Sequence, residues 1–362
     1  MMKIFLANTY FQLIVATQLK LTIYKNDEAI LIFSDYSNNA EKTVSRLKDA
    51  NLFCDVICAK FKNMSKWEEA WHLYTSLMQK KHSKWIMENT PLCDEFIFFN
   101  TDRAATTLYL RLTKKNPSVH CHRMEEGILS YHDRRAENPY ANMKLISKIE
   151  YRLRQLLKIP ICQESVENFY CFYPEFYNGN LKAVQIPKIQ LNSEIGELLC
   201  EIFDIKKEAL VYDEKYIFFA SVGDFEGGKK IGEVKTALAL AEKVGKENVL
   251  VKVHPRDTTD NFAAAGLKVD TRSSVPWEAI QLNYDFADHV FLTSSSGSVL
   301  SVNMLLEPKN RPETYFLYPM MDTDGNTCMT TAIETAERLF NSPAAENVLK
   351  RIHRATSLDE VI

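Results

Sequence analysis

The chain opens on a strand, a helix and a second strand in quick succession, a pattern that restricts the choice of fold more than anything else in it. Lys3 to Ala7 is a short apolar run of strand length. Tyr10 to Lys20 carries Leu13, Ile14, Ala16 and Leu19 at helical spacing, and Ala29 to Phe33 is a second apolar run. Such a unit builds a parallel sheet with helices on its faces. The turn Asn8-Thr9-Tyr10 lacks G-x-G-x-x-G, so a dinucleotide site of the usual kind is not expected there. A short polar loop and a helix N-terminus remain, suited to hydroxyl groups.

The alternation continues. Helices are expected over Asn38 to Asn51, Trp67 to Gln79 and Ala104 to Lys114, with strands at Phe53 to Ala59, Glu95 to Asn100 and Ser118 to Arg123. Tyr170 to Leu191, broken by Pro174, Asn178-Gly179-Asn180 and Pro187, reads as an interdomain linker. A helix at Ser193 to Phe203 precedes a second series: strand Lys215 to Ala220, helix Gly232 to Gly245, strand Asn248 to Val253, helix Pro276 to Asn283 and strand His289 to Thr293. The fold class expected is α/β, with two Rossmann-like doubly wound domains, 1–188 and 189–362, facing each other across a cleft.

Composition narrows the function classes. The 362 residues suffice for two domains, and 46% hydrophobic with 25% charged residues is ordinary for a globular chain. A net charge of -3 gives no footprint for nucleic acid. The eight cysteines include no C-x-x-C pair. Cys54 and Cys58 would stand roughly 13 Å apart on a strand, too far for a disulfide, so free thiols in a reduced cytosol are expected. The apolar start, Ile4 to Ala16, is interrupted by Asn8, Thr9, Tyr10 and Gln12 and does not read as a signal peptide. No other stretch reaches the ~18 apolar residues of a membrane span. A cytoplasmic location is expected. The basic, partly amphipathic stretches Tyr131 to Arg135 and Lys148 to Lys158 are compatible with peripheral association at the inner face of a membrane, though such a helix is more often a solvated face.

Four segments at the carboxyl ends of expected strands carry the chemistry: Glu125-Glu126-Gly127, Ser221 to Asp224, Lys252 to His254, and Ser294 to Ser298. In open parallel sheets such ends are where ligands bind. The carboxylate pair is suited to general base work, or is a charged turn. His254 is followed by Pro255, which cannot donate to a ladder and keeps the preceding residue extended, so the imidazole belongs at the mouth of the sheet. It is either a hydrogen-bond or proton donor to a leaving group or a structural histidine. Hydroxyls and N–H groups ahead of a helix make an anion site, though any one of these serines could be a helix cap. Asp322-Thr323-Asp324-Gly325 is similar to the D-x-D that holds a metal in some sugar-nucleotide enzymes, but reads better as a turn.

In this order, Glu125-Glu126-Gly127, Lys252-x-His254-Pro255, Val275-Pro276-Trp277-Glu278 and Ser294-Ser295-Ser296 resemble the marks of the bacterial sialyltransferases of the lipooligosaccharide and capsule type, relatives of the bacterial polysialyltransferases. Ser221-Val222-Gly223-Asp224 ahead of His254-Pro255-Arg256 is similar to the lipooligosaccharide branch. The resemblance implies a GT-B fold, a cytidine monophosphate (CMP) sialic acid donor held mainly by the C-terminal domain, a galactose-terminated surface glycan as acceptor, inversion, and no cofactor or metal. It also implies roles. Lys252 and Glu278 hold the cytidine, His254 attends the departing phosphate, and Ser295 and Ser296, with Ser294 beside them, bind that phosphate. The base is Glu125 or Glu126 by most branches and Asp224 by the lipooligosaccharide branch. Here the pair is Glu-Glu, where Asp-Asp is common elsewhere in the family. Monomer and homodimer are both left open, as are a GT-B transferase with another sugar nucleotide and a non-catalytic glycan- or nucleotide-binding protein.

Overall fold

The computed structural model describes residues 1–37, 39–62, 65, 67, 68, 71, 91–100, 102–131, 148, 151, 152, 155, 156, 159–254, 256–270, 272 and 275–362. The expected helix from Trp67 to Gln79, the basic stretches Tyr131 to Arg135 and Lys148 to Lys158, and Pro255 fall wholly or largely outside them. The chain divides into two units: Met1–Glu126 with Ser130–Pro187, and Gly127–Leu129 with Lys188–Ile362.

Among the described residues the first unit is a parallel sheet of seven strands: β1 (Met2–Ala7), β2 (Glu28–Ser34), β3 (Asp55–Ala59), β4 (Glu95–Phe98), β5 (His120–Met124), β6 (Val166–Cys171) and β7 (Lys182–Gln185). Their order is β3-β2-β1-β4-β5-β6-β7, and it reverses between β1 and β4. Alternation along β1 covers both faces. Ile4 and Leu6 join a core with Phe96, Phe98 and Leu108, while Phe5 points the other way, edge-on to Tyr24 and Phe53. Helices α1 (Tyr10–Leu21), α2 (Ala40–Asp49) and α3 (Arg103–Lys115) carry the crossovers. Thr9 caps α1, its Oγ1 accepting the Gln12 N–H at 3.2 Å, and Asp102 caps α3, its carboxylate accepting the Ala105 N–H at 2.8 Å.

Tyr170 to Leu191, expected as the interdomain linker, does hold the division between the units at Pro187–Lys188, but its earlier part is sheet, with the end of β6 and all of β7 lying in it. The edge strand β7, Lys182-Ala183-Val184-Gln185, is half-exposed along both faces and so lacks the buried alternation that marks a strand. Its backbone pairing with β6 holds it in the sheet.

The second unit is a parallel sheet of six strands: β8 (Tyr216–Phe219), β9 (Val249–Lys252), β10 (Lys268–Val269), β11 (Val290–Thr293), β12 (Glu313–Phe316) and β13 (Ile352–Arg354). Their order is β10-β9-β8-β11-β12-β13, reversing between β8 and β11. Phe218, Val251 and Leu292 pack on one face, and Ile217, Phe219, Leu250 and Phe291 on the other with Trp277. Its principal helices are α4 (Glu194–Phe203), α5 (Glu233–Val244), α6 (Trp277–Gln281), α7 (Gly297–Leu305) and α8 (Thr327–Phe340).

Gly127, the glycine of the acidic motif, has a structural reason to be glycine. Its φ is +113°, and an added Cβ would fall 2.6 Å from the Ser301 Oγ on α7. The next N–H, of Ile128, donates to that same oxygen at 3.1 Å.

Candidate active site

In each unit the chemistry gathers at the carboxyl ends of the strands where the order reverses. In open parallel sheets a ligand crevice forms at such a reversal, where neighbouring crossovers leave on opposite faces.

In the first unit, the loop after β1 supplies Asn8, the loop after β4 supplies Asp102, and β5 runs into Glu125 and Glu126. The buried Gln12 side chain ties them together. Its Oε1 accepts the Asn8 N–H at 2.7 Å, which leaves its amide nitrogen to donate to Glu126. The Asn8 amide reaches Asp102 at 3.4 Å. Burial raises the Glu126 carboxyl to about 7, opposed by the Gln12 hydrogen bond and the Arg123 charge and reinforced by Asp102. A half-buried carboxyl that is half ionised at neutral pH is suited to accept a proton.

Its neighbour differs in kind. Glu125 is fully buried, and its Oε2 accepts from the Tyr131 hydroxyl at 2.5 Å and from the Phe172 N–H at 2.9 Å. It therefore ties β5 to the turn after β6.

In the second unit, His254 follows β9. Its Nδ1 accepts the Arg256 N–H at 3.1 Å, so in the neutral ring the proton sits on Nε2. Burial, then the Arg256 charge, push the imidazole below its ordinary value, which keeps it neutral. Lys252, at the end of β9, is buried and makes no side-chain hydrogen bond or ion pair among the described residues. Burial lowers its pKa, while the charges of Asp270 and Glu278 work the other way. Glu278, in the first turn of α6, is partly buried and is raised by that burial, against its own N–H and Lys252.

The three serines divide. The Ser294 hydroxyl is fully buried and donates to Glu233 at 2.6 Å. Among the described residues the Ser295 hydroxyl donates to the Met329 sulfur, at 3.3 Å, a weak acceptor. Ser296 sits at the N-cap of the nine-residue α7, its N–H donated to the Thr293 hydroxyl at 2.9 Å.

Asp224 is a capping residue. Its Oδ1 accepts the N–H groups of Ile231 and Gly232 at 2.9 and 2.8 Å, and its Oδ2 that of Val234 at 3.4 Å. These belong to the N-terminus of α5 and the loop before it, where such donors lack helical partners. Asp224→Ala is expected to destabilise the protein by about 1–3 kcal/mol. A thermal melt checks this, and an unchanged Tm contradicts the capping role.

Gln12, Asp102 and Glu233 are not among the site residues expected from the sequence. Thr9-x-x-Gln12 has the spacing of a capping box, in which the glutamine reaches back toward the N-cap; here it reaches one residue further, to Asn8. Glu233 looks like an ordinary first-turn acid, and only the fold gathers it against Ser221 and Ser294. Asp322 pairs with Lys229 at 2.6 Å, and Gly325 has a φ of +80°, as a turn requires. Among the described residues no three His, Cys, Asp or Glu side chains group as metal ligands would, and no helix is long and apolar enough to cross a membrane.

The chain is similar to an α/β-galactoside α-2,3-sialyltransferase from the luminous marine bacterium Photobacterium phosphoreum, with a TM-score of 0.53 and 11% identity over 98% of each chain. It also aligns with a UDP-N-acetylglucosamine 2-epimerase, at a TM-score of 0.49 and 11% identity over 100% of this chain and 93% of that one. No family model and no curated protein matches the sequence. The fold is GT-B: two parallel α/β units of the kind found in glycosyltransferases.

Proposed function

We propose that the protein is a glycosyltransferase that moves sialic acid from CMP-sialic acid to a hydroxyl of a galactose-terminated glycan, with inversion and without a metal. The observation that carries this reading is the cluster of Asn8, Gln12, Asp102 and Glu126 at the strand ends of the first sheet, in which burial raises the Glu126 carboxyl. The Nε2–H of His254, the buried Lys252, which has no ion pair among the described residues, and the N-terminus of α7 at the second sheet's strand ends add to it. Lys252 and Glu278 hold the cytidine, and Ser295, Ser296 and the first N–H groups of α7 take the phosphate.

The chemistry follows from charge. As the bond from the anomeric carbon to the phosphate oxygen breaks, the sugar gains oxocarbenium character and the phosphate gains negative charge. Fixed donors at that oxygen, His254 among them, stabilise it without reorganising. The acceptor oxygen attacks the opposite face of the anomeric carbon and its proton passes to Glu126, while CMP departs. Glu126 is preferred to Glu125 and Asp224 because both of those carboxylates already hold backbone or tyrosine donors.

Incubation with CMP-sialic acid and a panel of galactosides tests the reading, and sialylated product is expected. In a thermal-shift series CMP is expected to raise Tm, by about 2.7 kcal/mol of linkage at a hundredfold excess over Kd. Stabilisation by UDP or GDP alone would move the assignment to another sugar nucleotide, and tight binding without turnover would make this a non-catalytic binding protein.

A further inference from the structure

Glu233 is buried to 1% exposure as the first residue of α5, where it joins the two strand ends that flank the reversal of the second sheet. Its Oε1 accepts the Ser221 N–H at 2.8 Å, just after β8, and the Ser294 hydroxyl at 2.6 Å, just after β11. One oxygen therefore fastens both loops.

Among the described residues no cation is paired with this carboxyl. Asp224 faces the carboxyl from the β8 loop, and Ser221 and Ser294 contribute uncharged donors. From α8, the Met329 sulfur accepts from the Ser221 and Ser295 hydroxyls and brings no charge. Glu233 has no ion pair among the described residues. Burial raises it to about 7, Asp224 pushes the same way, and the two serines oppose.

Resting on the donor reading above, we infer that Glu233 is the positioning residue of the phosphate loop Ser294–Ser296 and takes up a proton from solvent when the donor phosphate binds there. An anion at Ser295, Ser296 and the α7 N-terminus is a like charge beside this carboxylate and disfavours its ionised form. The proton adds to Oε2, while Oε1 continues to accept from Ser221 and Ser294. The loop keeps its shape through the change, and one buried negative charge is removed as another arrives.

The linkage has a definite sign. Bound protein carries more protons than free protein, so CMP affinity falls as pH rises through and above about 7. Glu233→Gln keeps an acceptor oxygen of the same reach but does not titrate. Calorimetry of CMP binding at pH 8, where the nucleotide phosphate is already fully ionised, in buffers of different ionisation enthalpy reads the protons directly. Wild type is expected to take up a few tenths of a proton per CMP bound and Glu233→Gln none. Between pH 7 and 9 the wild-type Kd should rise several-fold more than the variant's, with a ceiling of about tenfold per pH unit. A carbon NMR titration of the wild-type Glu233 carboxyl, with and without CMP, gives a second reading that needs no variant; its midpoint should rise on binding. Equal proton uptake in the two proteins, or a midpoint that does not move, overturns the inference and leaves the donor reading standing. A wild-type protein that binds no nucleotide overturns both.

Discussion

Glu126→Gln is expected to lower the transfer rate by about 10²–10⁴-fold while leaving CMP binding and Tm nearly unchanged. The variant keeps the size and hydrogen-bonding reach of the side chain and removes only its ability to hold a proton. In wild type the rate should rise with pH through a midpoint near 7, because Glu126 must be ionised to accept the acceptor's proton and burial holds its carboxyl at about 7. In the variant that limb should vanish. Gln12 tunes the same group, since its hydrogen bond favours the charged carboxylate, so its loss would move the limb to higher pH. A pH–rate profile of both proteins decides the matter. A wild-type limb near 7 that persists in Glu126→Gln would assign the base elsewhere.

The contrast among the three acidic candidates explains how far the sequence could be read. Glu125, Glu126 and Asp224 are equivalent as letters, each a carboxylate just beyond an apolar strand. They are separated by contacts distant in sequence: Glu125 meets Phe172, 47 residues on, while Asp224 caps a helix whose loop returns to it. Strand β1, helix α1 and strands β8, β9 and β11 are legible because their apolar periodicity is a local property that burial on both faces preserves. The edge strand β7 is not, because its stability comes from pairing rather than from its own side chains.

Position in the sheet order carries the same lesson. Which strands neighbour one another at the reversal cannot be read from a one-dimensional pattern, yet that adjacency brings Ser221 and Ser294 onto Glu233. His254 is the opposite case. A histidine beyond an apolar run and ahead of a proline is visible in the letters, and the ring does stand beyond the last residue of β9. What the letters omit is the tautomer, which depends on the Arg256 N–H.

That tautomer shapes the second large prediction. His254→Ala is expected to reduce the transfer rate by about 10²–10³-fold, the loss typical of one preorganised donor at a developing oxyanion. Two protonation schemes would give such a loss. An imidazolium acid must be charged to work, and burial together with Arg256 pushes His254 below its ordinary value, so activity would fall as pH rises past that lowered pKa. With a base that ionises near 7, this scheme gives a bell of small amplitude. A neutral Nε2–H donor is present over the whole range in which Glu126 is ionised, so at saturating donor the rate should climb through about 7 and hold a plateau. The geometry favours the neutral donor, because Nδ1 is already engaged as an acceptor and would lose the Arg256 N–H on protonation. In His254→Ala the curve should keep its shape and midpoint and drop in height alone. A bell in wild type that becomes a simple rising limb in the variant would identify His254 as a charged acid and overturn the neutral-donor role.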